Sequence, residues 1–280
     1  MESNKKIQLS KDYVNLFMIL TLIIIIILIS LMARYIAPHD PYATDLTNVL
    51  QAPNREFLLG TDSLGRCVLS RVLYGGSKSI LSALIVVAVS SVIGAVLGTI
   101  SGFIGGRVDS FIVSFIDVFL AFPGMILAVA VAGIMGAGMR NAIIAITVVS
   151  WTKYARLSRS EAIKVKSETY IQAAIISGNS KIKIILKHVI PNIASTLIIT
   201  ASSDIGVMIM EIAGLSFLGL SSPLPIPEWG SMMNEGRSML QFAPWITIAP
   251  GIAILITVIL FNLLGDNLTE VIGSKQRRKN

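Results

Sequence analysis

One cysteine, two histidines and a low content of charge leave this chain short of the usual tools of chemistry. Cys67 stands alone, which excludes an intrachain disulfide, and His39 with His188 is too few to build a zinc cage. No G-x-x-x-x-G-K-[ST] run is present. The nearest stretch, Gly75-Gly76-Ser77-Lys78, lacks the spacing of a phosphate loop. No Ser/His/Asp arrangement or metal-hydrolase signature occurs either, so the sequence offers no catalytic, cofactor or metal site. Met208, Met210, Met232 and Met233 are soft enough for copper, yet nothing arranges them as ligands, and methionine is first a flexible packing residue.

What is abundant is apolar sequence. The 280 residues are 54% hydrophobic and 14% charged, the composition of a polytopic membrane protein. The net charge of +7 does not point to nucleic acid. Of the 23 basic residues, 12 lie in two places, the segment Lys153–Pro191 and the tail residues Lys275, Arg277, Arg278 and Lys279, as membrane topology produces.

Windows long enough to cross about 30 Å of hydrocarbon lie near 14–35, 79–102, 109–134, 138–154, 192–214 and 246–265. The expectation is an all-α protein of six transmembrane helices. Lys5, Lys6 and Lys11 precede the first apolar core like a signal peptide. That core, Leu16 to Met32, is too long for one, and Ala33-Arg34-Tyr35 is a poor cleavage site, so a retained span is expected. With both termini inside, cytoplasmic segments collect 16 Lys/Arg and outer segments seven, five of those between spans one and two.

Three units follow: a tail and first helix over 1–35, an extracytoplasmic loop over 36–78, and a core over 79–280 that holds a cytoplasmic loop at 155–190. The first outer loop reads as irregular structure and then an amphipathic helix leading into span two. A second outer loop, Gly214 to Trp245, carries SSPLPIPEWG, whose prolines enforce extended or turn geometry. Gly94, Gly98 and Gly102 recur every fourth residue in span two. That spacing suits close helix approach, either inside the chain or against a partner subunit. No inverted repeat of the secondary-transporter kind is visible.

Acidic residues in apolar spans normally face a bundle interior or water. Asp109 and Asp266 sit near span ends, where solvation or helix capping explains them, whereas Asp117, Asp204 and Glu211 lie deeper. Asp204 and Glu211 are seven residues apart and share a helix face to within about 20°. That face suits a pathway for a polar substrate and equally suits buried hydrogen bonds to a partner helix.

The segment Lys153–Pro191 is a basic island, with eight Lys/Arg against two Glu. Its helical periodicity, broken at Gly178-Asn179, predicts two short helices joined by a turn. Gly178 supplies the left-handed residue that ends the first helix, and Pro191 closes the second before span five. Ala173-Ala174 gives a thin helix surface able to enter a groove on a partner. The other reading is an amphipathic helix resting on anionic lipid.

The run YIQAAIISGNSKIKIILKHVIPN resembles the EAA loop of permease subunits of binding-protein-dependent ABC importers. LLGTDSLGRCVLSR, AFPG at 121–124, AGLSFLGL at 213–220, PEWG at 227–230 and FNLLGD at 261–266 resemble that family's dipeptide/oligopeptide/nickel branch. The resemblance covers nearly the whole chain. It implies the type I importer permease fold, with a homologous permease, two ATP-hydrolysing subunits and an extracytoplasmic binding protein as partners. It also implies that the loop docks on an ATPase, with Tyr170, Gln172, Ala173, Ala174 and Gly178 carrying the coupling. Gln172 stands where the family commonly has Glu, and Cys67 where Asp is usual. SSDIGVMIMEIAGLSFLGL and PEWGSMMNEGR look closer to nickel or metal-chelate permeases than to peptide permeases, and peptides are the alternative. Outside this family, an ion-coupled transporter or channel working alone, or a membrane scaffold, are the rival classes.

Overall fold

A computed structural model of the chain describes residues 2–276, with side chains placed for 13–272. Lys5, Lys6, Lys11, Lys275, Arg277, Arg278 and Lys279, which enter the charge count above, lie outside the described side chains. Helix α1 spans Glu2–Leu31. An irregular segment leads to α2, Val68–Ile104, then to α3, Gly106–Leu120, and α4, Gly124–Met135. Helix α5 is Met139–Lys166, α6 is Thr169–Ile176 and α7 is Lys181–Phe217. Helices α8, Trp229–Gly236, and α9, Trp245–Gln276, complete the chain.

By length and composition four helices qualify as membrane spans: α1 from Tyr13, α2, α7, and α9 to Ile272. The expected span at 109–134 is instead two helices, α3 and α4, bent by 84°. The cause lies in AFPG. Pro123 has no N–H to continue a helix ladder and pushes Phe122 out of the helical region, so α4 restarts with Pro123 as its N-cap. Counted together, the bent pair brings the spans to five; its bend also fits a re-entrant loop. The segment expected at 138–154 is the first part of α5, where Arg140, Lys153 and Arg156 interrupt the apolar run.

The helix expected before span two is continuous with it, α2 starting at Val68 after Cys67. One feature differs from expectation. Pro191 does not close a separate helix: α7 runs unbroken through it. Residues Ile185–Val189 form a π turn, in which Ile190 donates its N–H to the Ile185 carbonyl. This wider turn leaves room for a proline ring that would clash with the carbonyl four residues back.

The α2–α5 pair is the spine. A Cβ added at Gly94, Gly98 or Gly102 would collide with the backbone carbonyls of Trp151, Ala155 and Arg159, so the glycine stripe packs within the chain. Around this pair Ile80, Val86, Ile146, Ile209, Ile212 and Leu215 are buried together. Helix α1 lays Ile19 and Ile23 on that core and leaves most of its apolar surface outward, as a helix in lipid can. The bundle therefore has two polar ends: an island end, with α6 and the foot of α7, and a loop end, with residues 37–67 and α8.

Candidate functional site

At the island end, α6 is rooted on one side and open on the other. Ile171 is fully buried in a small cluster with Phe103, Ala162, Ile184, Val189 and Ile193, and Ala174 packs against it from the edge. Across the same helix, Tyr170, Ala173, Ile175 and Ile176 are exposed, Ile176 to 86%. The sequence reading paired Ala173 with Ala174 as one outward surface. The helical rotation separates them, with Ala173 outward and Ala174 toward the chain's own core. Ile176, which the sequence reading passed over, is the most exposed apolar side chain of the helix.

The end of α6 follows its sequence closely. The Gly178 N–H donates to the Ile175 carbonyl at 3.0 Å and the Asn179 N–H to the Ala174 carbonyl at 3.2 Å, with Gly178 at φ +77°. This is the Schellman pattern, which needs a left-handed residue at the glycine position. Ser180 then caps α7 by accepting the Lys183 N–H. Two side chains tie α6 to its neighbours. Gln172 Nε2 donates to the Lys166 carbonyl at the end of α5 (2.7 Å), and Asn192 Nδ2 on α7 donates to the Tyr170 hydroxyl (2.9 Å). Tyr170 also meets His188 edge-on. Helix α6 is thus tied by side chains to both α5 and α7.

Within the bundle Asp109, Asp117 and Asp204 have each found a cation that sequence reasoning left unpaired. Arg159 on α5 holds Asp109 through Nε (2.6 Å) and Nη2 (2.7 Å), and Ser101 adds a hydrogen bond. Arg156, one turn away, meets Asp117 at 3.1 Å, with both side chains more than half exposed. Lys153 Nζ donates to Asp204 Oδ1 at 2.6 Å. Glu211, on the same face of α7, forms no ion pair among the described residues, and it lies within the electrostatic reach of Asp204 and Lys153. Helix α5 therefore lines up Lys153, Arg156 and Arg159 at three-residue steps against acids from α3 and α7. No His/Cys/Asp/Glu group able to hold a metal ion occurs among the described residues.

The loop end carries a second ionic cluster. Arg66 and Arg71, each 1% exposed, bind Glu235 from α8, Arg71 at 2.8 Å. Arg66 also pairs with Asp62 at 2.6 Å. Beside them Glu228 caps α8, accepting the Gly230 and Ser231 N–H groups and the Ser79 hydroxyl. Trp229 packs on Gly75 and Gly76, its Nε1 donating to the Val72 carbonyl. The GTDSLGR and PEWG segments are thus one buried clamp closing the loop onto α2 and α8. Arg66 and Arg71, two of the five cations counted between spans one and two, are neutralised by Asp62 and Glu235. Cys67, buried at the N-cap of α2, makes no side-chain capping bond; an Asp at that position would supply one.

The fold is that of a type I ABC importer permease. It superposes on a chain of the inward-facing methionine ABC transporter MetNI in its native crystal form, with a TM-score of 0.55 and 17% identity over 69% of this chain and 94% of that one. A selenomethionine-soaked form of the same transporter gives 0.54. Residues 94–278 match the family described as binding-protein-dependent transport system inner membrane component, and the chain belongs to that family. Among curated relatives it is 39% identical over 254 residues to the glutathione transport system permease protein GsiD of Escherichia coli O1:K1 / APEC, covering 90% of this chain and 84% of the relative. Its counterpart in Shigella dysenteriae serotype 1 is 38% identical over the same length.

Proposed function

We propose that this permease subunit imports a short peptide, driven by two separate ATPase subunits, one of which docks on α6. The observation that carries the reading is the two-sided character of that helix. Ile171 roots it in the bundle and Tyr170 ties it to α7, while Ala173 and Ile176 stand free on a basic end. Exposed apolar side chains at a polar, positively charged end are poorly matched to water and well matched to a groove on a partner. The island end is then cytoplasmic, in line with its Lys/Arg content. In this account Tyr170 and Gln172 transmit movement to α7 and α5, Ala173 and Ile176 enter the groove, and Ala174 and Gly178 hold the helix in shape.

A homologous permease covers the face that exposes Asp117 and Arg156, since charges of this kind do not rest against lipid. Glu211, and Lys153 held by the buried Asp204, line the passage between the two permeases. The binding protein delivers substrate to the loop end, where the Arg66–Arg71–Glu235 clamp keeps the receiving surface rigid. For the substrate, relatives named as glutathione permeases favour the peptide alternative over nickel or a metal chelate. The test is reconstitution of the whole complex with its binding protein, measuring ATP hydrolysis with glutathione, triglycine, nickel or a nickel chelate. Stimulation by a peptide supports the reading, and stimulation by the nickel species alone overturns its substrate half.

A further inference from the structure

Lys153 is placed unusually for a charged residue of an apolar bundle. Its side chain is 58% exposed while its counter-ion Asp204 is 5% exposed, so the carboxylate is the buried half and the ammonium the open half. Asp204 Oδ2 is buried close to the Tyr154 hydroxyl, and Lys153 is the cation that neutralises the carboxylate. A lysine ammonium carries three donors and Asp204 engages one, leaving the others directed at whatever occupies the open side. A bare ammonium is costly against hydrocarbon, so a polar occupant suits that side better than lipid.

Glu211 lies further along the same face, flanked by Val207 and Met210, which are 44% and 58% exposed. Seven residues of helix separate it from Asp204, or about 10 Å along the axis at 1.5 Å per residue. The face therefore presents a cation and an anion with an apolar strip between them. A short peptide is the complementary object, with an ammonium at one end, a carboxylate at the other and side chains between. Three extended residues span at most about 10–11 Å.

Resting on the peptide reading above, we propose that Lys153 and Glu211 form a two-ended receptor for the termini of a zwitterionic peptide of about three residues. Lys153 takes the carboxylate and Glu211 the ammonium. Asp204 is the positioning residue that holds the Lys153 ammonium at the right height on the face. Both receptor groups remain partly hydrated, so the contact is weak and quickly broken, as a passage requires.

The test uses the full complex, with second permease, ATPases and binding protein, in proteoliposomes with labelled triglycine. Peptide moved and ATP hydrolysed are measured together. Lys153→Met alone would leave Asp204 buried and unpaired, so the informative variant couples it with Asp204→Asn. The ratio of peptide to ATP is expected to fall about ten-fold in that double variant and in Glu211→Gln, the scale of one lost charge-assisted hydrogen bond. Lys153→Arg keeps most of the ratio. As a second readout, triglycine slows labelling of Lys153 by an amine-reactive reagent, followed by mass spectrometry, whereas triglycine amide, which lacks the carboxylate, does not.

An unchanged ratio in both the double variant and Glu211→Gln, or labelling indifferent to triglycine, overturns the receptor while leaving the importer reading intact. A wild-type complex that shows ATP-dependent uptake of neither triglycine nor labelled glutathione overturns the peptide reading, and the receptor with it.

Discussion

Gln172 does something a glutamate cannot. Its amide donates to the Lys166 carbonyl, one of the orphan acceptors at the end of α5, and so fastens α6 to the helix before it. A carboxylate there could only repel that carbonyl. Gln172→Glu is therefore expected to loosen the joint by about 1 kcal/mol. The check is hydrogen exchange of the 167–172 amides in the assembled complex, which should quicken about five-fold relative to wild type. Unaltered exchange would mean that the joint does not depend on this bond. Gly178 is the other residue with an individual role. It sits at φ +77° with open space around it, so a side chain meets backbone strain but no clash. Gly178→Ala should cost about 1–2 kcal/mol and Gly178→Asn clearly less, because asparagine tolerates the left-handed region. The midpoint of thermal inactivation of ATP-dependent uptake should rank wild type, Asn, Ala in falling order.

At the scale of elements, the clamp at the loop end joins segments far apart in sequence through charges held almost entirely out of water. Removing one partner leaves the others uncompensated, which costs about 3–5 kcal/mol for a buried pair. Arg71→Met should thus lower the thermal stability of the detergent-extracted complex more than any single change on exposed α6. Equal stability of the two would refute the clamp. How far such elements can be read from sequence depends on the range of the interaction that makes them. The α6 turn was legible because its Schellman geometry is local and glycine announces it. The apolar runs of α1, α2, α7 and α9 were legible for the same reason. Pro191 misled because a π turn, which leaves no mark in composition, accommodates it. The Lys153–Asp204 and Arg71–Glu235 pairs were invisible because each joins residues that only tertiary packing brings together. The outward side of α6 was misjudged by one residue, since adjacent alanines on a helix point about 100° apart.

At the scale of the whole molecule, the bundle separates its tasks by position. The loop end is rigid and self-neutralised, the middle carries paired charges on α5 facing α3 and α7, and the island end offers one rooted helix with an open apolar face. In the proposed account motion enters at the island end and is passed on through α5 and α7, whose middle portions hold Lys153 and Asp204. The most direct test of this account is ATP-dependent substrate uptake by the complete reconstituted complex carrying Ala173→Arg or Ile176→Glu. Both positions are exposed, so neither change disturbs the fold of the subunit. The account predicts that either substitution lowers uptake at least ten-fold, on the scale of a lost interface hot spot, while the permease pair remains assembled in the membrane. Uptake at the wild-type rate in both variants would contradict the claim that α6 couples this permease to its motor.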